Sequence, residues 1–127
     1  MSATKVSLGR HAEESAVRFL ESAGYRIAAR NYRACGAEVD IIARDRGGVV
    51  CFIEVRSRNT PAFGSAAESV TRPKRARIAR AAVQYLKENG LLERKARFDV
   101  VCIDRAGEPA GTGMRLLTNA FELEGDY

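Results

Sequence analysis

The sequence predicts a three-layer α/β domain, with a mixed β-sheet of four to five strands flanked by helices. Three observations lead there. Two segments, near residues 8–23 and 73–88, carry apolar residues at helical spacing. Several short runs rich in Val, Ile and Phe lie between turn signals and read as strands. These segments follow one another as α-β-β-β-α-β-β, which puts helices on both sides of one sheet.

The first helix is expected from about Leu8 to Ala23, with Ala12, Ala16, Phe19, Leu20 and Ala23 as its buried stripe and Gly24 as its C-terminal stop. Tyr25 to Tyr32 reads as a first, poorly alternating strand. Glu38 to Arg44 and Val49 to Arg56 read as the second and third, joined by Asp45-Arg46-Gly47-Gly48. Ser57 to Arg72, with Pro61 and Gly64, is expected to be a loop. A second helix should begin near Pro73, after Thr71 or Arg72, and end at Asn89-Gly90. Ile78, Ala79, Ala82, Val83, Tyr85 and Leu86 make its apolar side, and Arg77, Arg80, Gln84 and Lys87 its polar side. Phe98 to Asp104 is nearly all apolar, as in a central strand covered on both faces. A glycine-rich turn region from Arg105 to Gly113 leads to an edge strand, Met114 to Thr118.

A chain of 127 residues is read as one domain over 1–127, with a core over about 8–118 and a loosely held tail over 119–127. No apolar run approaches the roughly 20 residues of a membrane helix. The first residues, MSATKVSLGRHAEES, lack the apolar stretch of a secretion signal, so a cytoplasmic location without membrane contact is expected. Cys35, Cys51 and Cys102 form no CxxC pair, which fits a reducing compartment, with Cys51 and Cys102 inside apolar strands. His11 is the single histidine, which argues against a His/Cys zinc site and a Ser-His-Asp triad. The net charge is +5, and the last six residues hold Glu122, Glu124 and Asp126 with no base, so the body is more basic than the total. A basic body suits a polyanion such as nucleic acid, or is simply a solvated basic surface.

The chemistry-bearing residues lie on the central hairpin. Alternation places Glu38 and Asp40 on one face of the second strand, and Glu54 and Arg56 on one face of the third. A turn at Gly47 sets Asp40 opposite Glu54 and Glu38 opposite Arg56, where Cβ atoms are about 4.5–5.5 Å apart. Three carboxylates on one patch repel, and an oxygen-liking dication such as Mg²⁺ relieves that repulsion. In the alternative, this end of the sheet is exposed and Arg56 pairs with Glu38.

GAEVDIIAR, a short hairpin and FIEVRSR resemble the D-x(n)-E-x-K signature of the PD-(D/E)XK nuclease superfamily. Gly9-Arg10 with Glu13, the Ala-x-x-Phe-Leu-x-x-x-Gly-Tyr pattern ending at Tyr25, FGSAAESVTRPKRARI and RFDVV extend the likeness over roughly residues 9–104. As a set they resemble the YraN-like bacterial proteins, a group related to archaeal Holliday junction resolvases. The resemblance implies a restriction-endonuclease-like fold. It implies metal binding (Mg²⁺ or Mn²⁺) by Asp40 and Glu54, and catalytic roles for Glu13, Asp40, Glu54 and the position of Arg56. Glu13 borders the buried stripe and could face the sheet; as a first-turn acid it would also be favoured by the helix dipole. The superfamily usually has lysine where this chain has Arg56, and arginine keeps the charge but cannot serve as a base. Lys74 on the next helix is a candidate for a displaced ammonium.

Arg72, Lys74, Arg75, Arg77 and Arg80 crowd the N-terminal half of the second helix, against the helix dipole. A bound phosphate would relieve that conflict; a solvated basic helix is the plainer reading. Together these features set the expectation of a metal-dependent endonuclease acting on structured or branched DNA. The alternative is a nucleic-acid-binding protein with the same fold and without efficient cleavage. A homodimer would suit a two-fold symmetric junction.

Overall fold

A computed structural model describes residues 5–58, 71–104 and 113–121, with residues 5–10, 58, 104 and 121 described by their backbone alone. Its elements are α1 (Lys5–Ser22), β1 (Arg26–Ala34), β2 (Ala37–Arg44), β3 (Val50–Arg58), α2 (Arg72–Glu88), β4 (Ala96–Asp104) and β5 (Met114–Phe121). The sheet order is β1-β2-β3-β4-β5. Only β3 and β4 are parallel, and α2 makes the crossover between them; the other neighbours are antiparallel.

The two helices cover opposite faces. Ala12, Ala16 and Leu20 of α1 pack on Ile41, Ala43, Cys51, Ile53 and Val101. Ile78, Ala79, Ala81, Ala82 and Leu86 of α2 pack on Ile42, Val50, Phe52 and Phe98. These alternating sets leave β3 and β4 buried on both sides, as the apolar run of β4 implies. No described helix is long and apolar enough to cross a membrane.

Most boundaries follow local chemistry. Gly24, at φ +95°, ends α1 where an L-residue would be strained. Thr71 caps α2, its hydroxyl accepting the Lys74 N–H, and Pro73 lies in the first turn. In the β2–β3 turn, Asp45 Oδ1 accepts the N–H groups of Gly47 and Val49, 2.9 Å each. Cys35 and Gly36 join β1 to β2 with φ of 55° and 75°, the two positive values of a type I′ hairpin.

Several expectations need correction. Ala23 is exposed; the stripe of α1 follows i, i+4 through Ala12, Ala16 and Leu20, with Phe19 half-buried beside it. Ala81 joins the buried side of α2, whereas Val83 is half-buried. The edge strand continues past Thr118 to Phe121, into the segment expected as tail. Residues 59–70, 105–112 and 122–127, which hold most of the expected Ser57–Arg72 loop, the turn region and the acidic tail, lie outside the described residues.

At the end of the sheet nearest the β2–β3 turn, Arg97 joins three polar groups. It contacts both oxygens of Asp99 at 3.0 Å, Asp45 at 2.8 Å and the Tyr25 hydroxyl at 2.8 Å. Asp99 is fully buried and also accepts the Asn119 N–H, where the β4–β5 register slips. Burial pushes the Asp99 carboxyl up, and Arg97 and the Asn119 N–H hold it down. Arg97→Met leaves this carboxylate unpaired. We expect a loss of about 2 kcal/mol in urea denaturation, below the usual cost of breaking a buried pair because Arg97 is partly exposed and Asp99 can take up a proton. An unchanged midpoint would show that the network contributes nothing.

Candidate functional site

The site is at the opposite end of the hairpin. Backbone pairing of β2 and β3 runs from Arg44↔Val50 to Ile41↔Ile53, the register that sets Asp40 across from Glu54. The recorded ladder stops there. Asp40 Oδ2 instead accepts the Val55 N–H at 2.9 Å, so a carboxylate replaces a carbonyl in the pairing.

Strict alternation is not kept. Val39 and Ile42, three residues apart, both pack in the α2-side cluster, while Ile41 packs under α1. The phase therefore changes at Asp40. Glu38, Asp40 and Glu54 nevertheless line one recess, and what is corrected is the expected place of Glu38 opposite Arg56. Glu38 pairs with Arg33 at 2.6 Å, not with Arg56.

A recess of about 380 Å³ opens between the two helices at this point. Glu13 of α1 lines it, with Glu38, Asp40, Glu54, Val55, Arg56 and Ser57 of the strands and Lys74, Arg77 and Ile78 of α2. Four elements thus bring together Glu13, Asp40, Glu54, Arg56, Lys74 and Arg77. Arg72, Arg75 and Arg80 belong to the same helix but do not line the recess; Arg72 and Arg80 are exposed and Arg75 half-buried.

Glu54 is only 4% exposed. Two cations share its Oε2: Lys74 Nζ at 3.7 Å and Arg56 Nη2 at 3.8 Å. Both distances are charge contacts longer than hydrogen bonds. Glu54 Oε1 and Arg56 Nε are buried without a hydrogen-bond partner among the described residues. Burial pushes the Glu54 carboxyl up to about 7, the Asp40 charge adds to this, and Lys74 and Arg56 oppose it. Asp40 is also raised, first by burial, against the Val55 N–H that favours its charged form. Glu13 is raised by burial and by Asp40, and partly held down by Arg30 and by the nearby Asn31 side chain.

Two adjacent carboxylates with raised proton affinity, one keeping an orphaned oxygen, form an oxygen donor set suited to a hard dication. Among the described residues no three His, Cys, Asp or Glu side chains form a closed metal cluster. Lys74, Arg56 and Arg77 supply positive charge at the same opening, as an anionic ligand requires.

The uncharacterised protein family UPF0102 matches residues 12–103 of this chain. The chain belongs to this family. UPF0102 proteins of Desulfosudis oleivorans and a Sulfurihydrogenibium species are each 42% identical to it, over 90% and 94% of the chain and 89% and 98% of their own lengths. One from an Anaeromyxobacter species is 44% identical over 92% of the chain and 86% of its own length. The YraN-like resemblance read from the motifs is thereby established for the chain, and the matched region contains every residue that lines the recess.

Asn31 is not among the residues singled out in the sequence, and Arg97 and Asp99 enter there only within the RFDVV motif, with no role of their own. Asn31 carried a signal, an asparagine inside a strand, where left-handed backbone is tolerated best by that residue type. Arg97 and Asp99 carried another: two opposite charges, two apart, flank Phe98 in an otherwise apolar strand.

Proposed function

We propose that this UPF0102 protein is a metal-dependent endonuclease-like protein that hydrolyses phosphodiesters in structured or branched DNA. The carrying observation is the pair of half-buried Asp40 and buried Glu54, which line a recess whose other charged wall is Lys74, Arg56 and Arg77. A metal-assisted hydrolytic site for a phosphodiester needs anionic ligands for a dication and fixed cations for the phosphate, and the recess offers carboxylates for the first and Lys74, Arg56 and Arg77 for the second.

Asp40 and Glu54 would hold Mg²⁺ or Mn²⁺, and the orphaned Glu54 Oε1 is the atom that such an ion would satisfy. When bound, the ion would polarise the phosphate and acidify a water. Arg56 and Lys74 would offset the negative charge that grows on the phosphorane. Glu13, beside Asp40, would orient water or protons. Arg72, Arg75 and Arg80 would extend the contact to phosphates outside the recess through sequence-blind pairing.

The test is cleavage of linear, flapped and four-way DNA with Mg²⁺, Mn²⁺ or EDTA, using wild type and Asp40→Asn. Metal-dependent cleavage lost in the variant supports the proposal. Absence of cleavage on all three substrates favours a second reading, a DNA-binding protein with this architecture and no efficient turnover. The observation behind that reading is Arg56, whose Nε has no hydrogen-bond partner among the described residues and whose guanidinium cannot act as a base.

Both readings predict DNA binding in EDTA that weakens steeply with salt. Replacing Arg72, Lys74, Arg75 and Arg77 together with alanine should weaken binding at least tenfold in fluorescence anisotropy and flatten the salt slope by about 2–4. An unchanged slope would place the contact surface elsewhere.

A further inference from the structure

Arg30, Arg33, Arg56, Lys74 and Arg97 each contact a carboxylate. Arg26, Arg44, Arg46, Arg94 and Lys95 form a contrasting set. Among the described residues none of these five is in an ion pair or a side-chain hydrogen bond. Arg44 is half-buried and the other four are exposed.

The five converge on the end of the sheet that carries the β2–β3 turn, away from the recess. Arg26 stands directly across from Arg44 in the β1–β2 register, and Arg44 across from Val50. Val50 pairs with Ala96 and donates its N–H to the Lys95 carbonyl at 2.9 Å. The Arg46 guanidinium lies against Gly24, and that of Arg94 against Gly48 of the turn.

This arrangement opposes folding. Like charges directly across an antiparallel pair repel, and Arg26 and Arg44 are such a pair. The acid of the turn does not offset them. Asp45 is taken up by the N–H groups of Gly47 and Val49 and by Arg97. Glu93, beside Arg94 in the chain, pairs with none of the five among the described residues. A helix dipole accounts for Arg46 alone, at the C-terminal end of α1. The bonds of Asp45 also fix the turn, so the cations stand on a rigid base. From Arg26 to Lys95 they span the ends of four strands, about 14 Å at the usual strand spacing. One small anion does not meet cations spread so widely, whereas successive phosphates of a nucleic-acid backbone do. Four of the five are arginines, whose planar fork suits phosphate.

We infer that this end of the sheet is a second nucleic-acid surface, which grips the sugar–phosphate backbone through Arg26, Arg44, Arg46, Arg94 and Lys95. It is separate from the basic face of α2. Along β2, Arg44 lies about 13 Å from Asp40 at the usual rise per residue, so the backbone held here is a different stretch from one at the recess. The inference does not depend on cleavage.

The test is binding of a DNA duplex of about 30 base pairs in EDTA, read by fluorescence anisotropy over a salt series. Replacing Arg26, Arg46, Arg94 and Lys95 together with alanine should weaken binding at least tenfold, flatten the salt slope by about 2–4 and keep the melting temperature within a few degrees. Added to the alanine variant of Arg72, Lys74, Arg75 and Arg77, the same four changes should weaken binding by a similar factor again, because distant sites act independently. In amide NMR, Gly47 and Gly48 should shift on titration with the duplex, in wild type and in the α2 variant alike. Unchanged affinity and slope would overturn the inference, and so would turn glycines that do not shift. Polyglutamate that shifts them at equal or lower concentration would also overturn it, marking the surface as one for an acidic protein. If the wild type cleaves no DNA, the nuclease reading of the recess fails and these measurements still decide the surface.

Discussion

Replacing Glu54 with glutamine is expected to stabilise the metal-free protein at pH 8 and to remove most of its pH dependence between pH 8 and 5.5. Burial and the Asp40 charge raise the Glu54 carboxyl from 4.5 to about 7 in the folded protein. In the unfolded chain it returns to its ordinary value. The folded form is therefore the better proton binder between these values. Folding takes up a proton there, and stability increases as pH falls from above 7 toward 4.5. The raised Asp40 carboxyl acts in the same direction. A displacement of this size corresponds to about 3 kcal/mol over the full range.

Glutamine keeps the shape and carries no charge, so the variant should gain stability at pH 8 and show a nearly flat profile. A bound dication reverses the preference, because it takes the charged carboxylates. Mg²⁺ at 100 times its Kd adds about 2.7 kcal/mol to the wild type. Glu54→Gln should lose most of that gain. Thermal denaturation in EDTA and in Mg²⁺, at pH 5.5 and 8, reads both effects. A variant that keeps the wild-type pH slope would show that Glu54 is charged throughout, and the metal argument would lose its basis.

How much of this was legible in the sequence depended on the range of the interaction. The β2–β3 register was legible because Asp45 to Gly48 fix a short turn and the strands have strong apolar alternation. That is enough to bring Asp40 to Glu54. The helix limits were legible through Gly24, Thr71-Arg72-Pro73 and Asn89-Gly90, all local signals. The pairing of Glu38 was not. It depends on β1, whose register passes through a bulge between Ile27 and Ala29 and through the left-handed Asn31. Period-two reasoning holds only while both strands stay regular, and here they depart from it beside the acids. The place of Lys74 was only a candidate, because it depends on how α2 docks across β3, and docking angles are not written in a helix's own periodicity.

Lys74→Ala is expected to lower cleavage 10²–10³-fold, more than Arg56→Ala. Both cations lie near Glu54 Oε2, at 3.7 and 3.8 Å, so charge alone does not separate them. Chemistry does. Lysine offers a compact ammonium with three donors that can meet a water and a phosphate oxygen at once, whereas arginine is a planar fork with fixed directions. Removing one preorganised donor from a developing oxyanion typically costs 10²–10³ in rate. Since α2 already delivers an ammonium to the site, Arg56→Lys should change wild-type cleavage little. In the Lys74→Ala background the same substitution should recover much of the loss, because it restores an ammonium beside Glu54 from the strand side. Single-turnover rates of the four proteins on flapped DNA form a double-mutant cycle that measures this dependence. Equal effects of Arg56→Lys in both backgrounds would show that the two cations act separately. A dead Arg56→Ala beside an unimpaired Lys74→Ala would make arginine the adapted residue and leave Lys74 as a neighbour that only balances charge.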